Sequence, residues 1–217
     1  MVLLDFFEVF EGFVNIFAVI IVILMSLIIG RRIVKEKKET GYYNVIRVLI
    51  FAAFISLSWS LTWEYIAEST SFGSIFPESL IISTDNFSFY SGGVGLIVSC
   101  GLALVAYANQ WESLYYFSGF FYGGMFLFFL LTGFGALVYP YIYISAIISD
   151  IFLILTGFRL KDNGSLGIAI FLLLALITMA LEGLLIGLIF NLIYPIFGLF
   201  FSLGYFTPFK EQKGDLN

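Results

Sequence analysis

Between Glu112 and Asp150 the chain runs for 37 residues without a charge. A hydrocarbon core about 30 Å thick is crossed by about 20 helical residues, so this one run is too long for a single span and long enough for two. Pro140, inside Tyr139-Pro140-Tyr141, is the natural place to divide it. The rest of the chain repeats the pattern: 19 uncharged residues run from Gly12 to Gly30, and 26 from Asn86 to Trp111. Over the full 217 residues only 12% are charged and 61% are hydrophobic, where a soluble domain carries about 25% charged residues. Too little polar surface is left to face water, and the chain must be solvated largely by lipid.

The apolar stretches predict an all-α integral membrane protein, a single domain over 1–217 built as a bundle of seven transmembrane helices. The spans are expected at about 12–30, 43–66, 88–111, 114–138, 140–160, 166–183 and 187–208. The loop Arg159 to Ser165 carries clear breaker chemistry, and a tight turn near Gly183 to Gly187 would separate the last two helices. With seven spans, all 10 basic residues fall on one side: Arg31, Arg32, Lys35, Lys37, Lys38 and Arg47 in one loop, Arg159 and Lys161 in the next, Lys210 and Lys213 in the tail. The positive-inside rule then puts the N-terminus outside and the C-terminus in the cytoplasm. Fusing the last two helices would put Lys210 and Lys213 outside. Arg31, Arg32, Lys35, Lys37 and Lys38 are thus expected to set topology and to touch anionic headgroups. The acidic first twelve residues, with Asp5, Glu8 and Glu11, do not resemble a secretory signal.

Chemistry is narrowed by inventory. With 0 His and 1 Cys there is no His-based triad, His-ligated haem or cysteine metal cluster, and Cys100 reads as a small packing residue. No metal and no cofactor is expected. Asp150 is the sharpest feature, because it lies ten residues after Pro140 and nine before Arg159, near the bilayer midplane. A charge there costs about 2.5–3.5 kcal/mol on insertion scales, so the group faces the bundle, finds a partner or carries a proton. Ser145 and Ser149 precede it. The candidate is a proton or cation site or a polar ligand anchor; a structural hydrogen bond to a neighbouring helix is the alternative.

On the second span Ser56, Ser60 and Glu64 recur every four residues, which stacks them on one face. That face is either a packing stripe or the wall of an outward cavity with Trp59 beside it. Gly92, Gly95 and Ser99 on the third span, and Gly119 and Gly123 on the fourth, read as close-approach surfaces between helices. Asn191, four residues before Pro195, marks a kink in the last span that frees a backbone carbonyl to hinge or bind. Asn86-Phe87-Ser88 fits the N-glycosylation pattern in the long outer loop from about Ser69 to Asp85 and just beyond it.

Seven spans invite comparison with rhodopsins and G-protein-coupled receptors. Retinal needs a lysine inside the last helix, and every lysine here falls in a cytoplasmic segment. The receptor signature after the third helix is replaced by Ala108-Asn109-Gln110-Trp111-Glu112. By contrast Trp59-Ser60-Leu61-Thr62-Trp63-Glu64, Ala106-Tyr107-Ala108-Asn109 and Lys161-Asp162-Asn163-Gly164 give a pattern of hydropathy and loop charge that resembles the seven-span sensory module found ahead of histidine kinases in bacteria and archaea. The resemblance implies a multi-pass protein of a prokaryotic cytoplasmic membrane. With no His to accept a phosphoryl group, any output would be carried by a separate partner.

The expected function is therefore a non-enzymatic, sensor-like or assembly module that binds a hydrophobic ligand or a partner helix. Its expected partners are membrane lipid, a cytoplasmic or membrane protein, or a second copy, and no nucleic acid. The alternative is a proton- or cation-coupled transporter or channel centred on Asp150. An intramembrane enzyme lacks a nucleophile–base pair in the spans.

Overall fold

The computed structural model describes residues 2–69, 89–132, 138–181 and 184–209. They form seven α-helices: α1 (Val2–Thr40), α2 (Val45–Ser69), α3 (Phe89–Ala108), α4 (Phe117–Thr132), α5 (Val138–Leu160), α6 (Asn163–Ala180) and α7 (Leu185–Ser202), with a 3-10 turn at Glu112–Leu114. There is no strand among the described residues. Four of the helices are long and apolar enough to cross a membrane, within α1, α2, α5 and α7. The architecture is that of a helical membrane protein.

Helix ends follow local chemistry. At 39 residues, α1 is about 58 Å long, far more than a bilayer core, and its basic end from Arg31 to Thr40 stays helical until Gly41 turns the chain with φ +83°. Helix α6 begins at Asn163, earlier than expected, because the Asp162 carboxylate accepts from the backbone N–H of Gly164 (3.1 Å) and of Ser165 (2.8 Å). Helix α7 stops at Ser202, short of the expected 208. There Tyr205 N–H reaches Phe200 O (3.0 Å) and Gly204 N–H reaches Phe201 O (2.9 Å), a Schellman closure with Gly204 at φ +81°.

Two divisions differ from expectation. The break placed at Tyr139 falls upstream, since α5 begins at Val138 and holds Pro140 in its first turn, where a missing N–H leaves no intrahelical bond unmade. The turn between the last helices lies at Leu181 to Leu184, and Gly187 is buried inside α7. The segment 70–88 with its Asn86 sequon, residues 133–137, Glu182 and Gly183, and Lys210 and Lys213 lie outside the described residues.

Packing joins α1 to α2, α2 to α3, α3 to α5, α5 to α6, α6 to α7 and α7 back to α1. This is a closed ring of six helices that omits α4. Its interior is filled by side chains from all six, including Met25, Phe54, Leu104, Leu153 and Phe171. Helix α4 sits outside, against α3, with Tyr122 at the contact.

Contact order along each pair gives direction. Asn15 meets Asn191, Met25 lies by Gly198 and Arg32 reaches Leu203, so α1 and α7 run parallel. Ser99 meets Tyr141, and Asn109 meets Thr156, so α3 and α5 also run parallel, with α4 returning between them. Every described Arg and Lys gathers at the end where α1 and α5 finish and α2 and α6 start.

Close approaches are made by glycines. A Cβ on Gly93 would sit 1.8 Å from Ser60 Oγ and 3.0 Å from Ser56 O, so α3 passes α2 with no room for a side chain. Gly93→Ala should therefore lower stability by about 1–3 kcal/mol, the usual cost of overpacking, read as a drop in the melting temperature of the purified protein. Asp162→Ala should cost about 1 kcal/mol through the lost cap on α6.

Candidate functional site

The buried face of α5 follows helical spacing through Ser145, Ser149, Asp150 and Leu153, all directed at α3 and α6. Asp150 is 4% exposed and Ser149 0%. Ser149 Oγ donates to Ala146 O (3.1 Å) within its own helix, and a Cβ on Gly101 would lie 3.1 Å from the same oxygen, so α3 and α5 meet closely here. Asp150 Oδ1 is shut off from the surface and accepts no hydrogen bond among the described residues. A buried carboxylate oxygen without a donor is rare and costly. Structural bonding, the alternative weighed for Asp150, is not what surrounds this oxygen.

One helical turn or more away the polar groups are well matched. Ser99 Oγ and Tyr141 Oη lie 3.1 Å apart, Ser118 Oγ donates to Ser99 O (2.9 Å), and Tyr141 Oη donates to Ser118 O (3.4 Å). This hydroxyl cluster ties α3, the start of α4 and α5. At the basic end Asn109 Nδ2 donates to Val105 O (2.8 Å) and to Thr156 Oγ1 (3.0 Å), while its Oδ1 accepts from Arg159. Polar atoms in the spans are satisfied wherever they fix helix against helix, which sets Asp150 apart.

The remaining candidates divide. Ser56 Oγ donates to Ala52 O (2.8 Å) and Ser60 Oγ to Ser56 O (3.0 Å), and Ser60 is fully buried against Gly93. Their face is a packing stripe and not the wall of a cavity. Trp59 is 53% exposed and stacks on Trp63 with ring centroids 6.1 Å apart, so it lies on the outside of α2. The Glu64 side chain and the surroundings of Gly92 lie outside the described residues. Asn191 Nδ2 donates to Asn15 Oδ1 (3.0 Å), which joins α7 to α1. Nothing brings Ser56, Ser60, Trp59 or Asn191 to Asp150; only Ser145 and Ser149 share its face.

Gly95 packs under the Tyr122 ring, and a Cβ there would be 2.2 Å from Tyr122 Cε2. Ser99 joins the hydroxyl cluster. Gly119 and Gly123 make no close approach among the described residues: a Cβ on either meets nothing within 4 Å there, nor does one on Gly124. Among the topology residues, Arg32 Nη2 donates to Leu203 O (2.6 Å), Lys35 pairs with Glu39 (3.8 Å) and Lys37 Nζ donates to Tyr43 Oη (2.7 Å). Arg31 and Lys38 are exposed.

Sequence reasoning missed the Asn15 amide, the Ser26–Ser58 contact (3.0 Å) and the Asn109–Arg159 bond. Each is a polar residue inside or at the edge of an apolar run, a signal visible in the sequence but without a partner until the helices are placed. Among the described residues no three His, Cys, Asp or Glu come together to hold a metal ion. No protein-family model matches the chain, and no curated protein or solved structure matches it.

Asp150→Asn preserves shape and removes the carboxylate. By removing a buried charge that no donor among the described residues answers, the substitution should raise stability by about 2–3 kcal/mol, the order of the insertion cost of an intramembrane carboxylate. A fall in melting temperature on that change would reveal a bonding partner for the carboxylate.

Proposed function

We propose that the chain is a non-enzymatic, seven-span membrane module, N-terminus out and C-terminus in, whose work is assembly: α4 seats a partner's transmembrane helix, in the simplest case α4 of a second copy. The observation that carries this is the outward face of α4. Gly119, Gly123 and Gly124 stand on a helix that the ring does not need, with open space beside each, and Phe120 beside them is 80% exposed. Glycine inside a helix costs about 0.5–1 kcal/mol relative to alanine, a cost that close helix contact offsets. In lipid, small residues spaced by four are what allow two backbones to touch.

Seven crossings are supported by direction. The parallel run of α1 and α7 fits an odd number of crossings from α1 through α7, and the parallel run of α3 and α5 fits α4 as a return crossing. The gathering of the described basic residues at one end supports a cytoplasmic placement for that end, in the membrane of a prokaryotic cell.

The test uses full-length protein in liposomes, with Cys100→Ser as background. Gly123→Cys should form an intermolecular disulfide under mild oxidation, whereas Ile151→Cys, on an exposed face of α5, should not. Adding Gly119→Leu should abolish the crosslink while leaving the melting temperature within a degree or two. Equal crosslinking at both positions, or a crosslink indifferent to Gly119→Leu, would remove α4 as the assembly face.

A second reading is favoured by one observation, the unbonded Asp150 Oδ1. It makes the chain a proton- or cation-coupled transporter. Cation or proton flux into proteoliposomes that vanishes in Asp150→Asn at matched amounts of folded protein would establish that reading over the assembly one.

A further inference from the structure

On the lipid-facing side of the α1–α2 hairpin lies an open groove of about 540 Å³. Its walls are apolar: Ile23, Leu27 and Val34 from α1, Phe51 and Ile55 from α2. Gly30 lets the Phe51 ring lean onto α1, since a Cβ there would meet its Cε2 at 3.0 Å. Ser26 and Ser58 lie in the groove, their hydroxyls 3.0 Å apart and each also donating to its own helix, at Val22 O (3.0 Å) and Phe54 O (2.8 Å). Three contacts share two hydroxyl hydrogens, so these serines have no donor left for a ligand. The groove offers an apolar occupant no competing polar demand.

One end is different. Arg31 lines the groove at the basic end, exposed, and has no ion-pair or hydrogen-bond partner among the described residues. Its neighbours are committed: Arg32 to Leu203 O, Lys35 to Glu39, Lys37 to Tyr43 and Arg47 to Glu36 (2.8 Å). From Ile23 to Val34 the groove spans about 16 Å of helix, the depth of one leaflet of a 30 Å core.

We propose that this groove is a binding site for an anionic phospholipid, with one acyl chain lying between α1 and α2 and the headgroup phosphate on the Arg31 guanidinium. A length that matches one leaflet and walls that are apolar select an acyl chain, and the uncommitted cation at the headgroup level selects negative charge. Guanidinium and phosphate match in geometry, two N–H groups to two oxygens. The site is separate from α4 and from Asp150, so this proposal and the assembly reading can fail independently.

The experiment is native mass spectrometry of the full chain released from micelles containing equal phosphatidylglycerol and phosphatidylcholine. Wild type should retain one phosphatidylglycerol in preference to phosphatidylcholine. Arg31→Gln should lower that preference about five-fold, the worth of one basic residue at a membrane surface. Lys38→Gln, an exposed residue away from the groove that loses the same charge, should lower the preference far less. Ile55→Trp, which fills the groove, should reduce retention of both lipids, with a melting curve to show that the variant is folded. An unchanged preference in Arg31→Gln overturns the proposal, as does an equal loss in Lys38→Gln, which would mean diffuse attraction to the basic end. Should Ile55→Trp not fold, the Arg31 and Lys38 pair decides alone.

Discussion

The contact between the first and last helices holds the bundle together, because the ring of six has no other closure. It depends on Gly198. A Cβ there would lie 2.5 Å from the Met25 methyl and 2.8 Å from the Phe171 ring, so the missing side chain is what lets α1, α6 and α7 converge. Around that point sit fully buried Met25, Phe171 and Val22, with Tyr194 edge-on to Phe171 at 5.7 Å. In lipid, burial of apolar side chains gives no hydrophobic drive between helices, and close van der Waals contact with a few interhelical hydrogen bonds must do the work. The Asn15–Asn191 bond toward one end and the Arg32–Leu203 bond at the other bracket this contact.

At the basic end the helices are tied by polar links that a bilayer interior would make costly to leave open. Asn163 exchanges two bonds with the Phe209 backbone, accepting from its N–H (3.0 Å) and donating to its O (3.1 Å), and so pins the segment after α7 to the start of α6. Arg159 reaches across to Asn109 on α3. These links make that end a rigid cap, and Asp150 lies deeper on the same α5. The contrast between a fully bonded end and an unbonded carboxylate on one helix is what keeps Asp150 a functional candidate.

Helix existence was legible in the sequence and helix arrangement was not. Uncharged runs and charge breaks located seven helices, and Lys161-Asp162-Asn163-Gly164 announced a turn, while the cap that Asp162 makes on α6 went unread. Boundaries moved where backbone chemistry outweighed hydropathy: α5 starts at Val138, two residues ahead of the expected Pro140, and Gly204 cut α7 short at Ser202. Arrangement stayed hidden because these helices are apolar all round, so hydropathy carries no record of which face meets a neighbour. Glycines carry that record only in part. Gly93, Gly157, Gly167 and Gly198 mark contacts too tight for a side chain, yet Gly119 and Gly123 look the same in sequence and face open space. Likewise the stripe at Ser56 and Ser60 was visible, while its partner, Gly93, was one position from the glycine expected. The polar pairs could not be matched at all, since a lone Asn or Ser names no partner.

Ring closure between the chain's opening and final helices also has a meaning for biosynthesis. Asn15 and the Asn191 that bonds it are separated by 176 residues. Since α1 is made before α7, it must hold its amide, answered by lipid, water or a passing neighbour, until α7 has been made. The earlier helices form an open arc through that interval, with the inner faces of α1 and α6 uncovered. A ribosome stalled before α7, or a factor that shields α1 during the wait, would act on this arc, and the time at greatest risk is set by synthesis of the later helices.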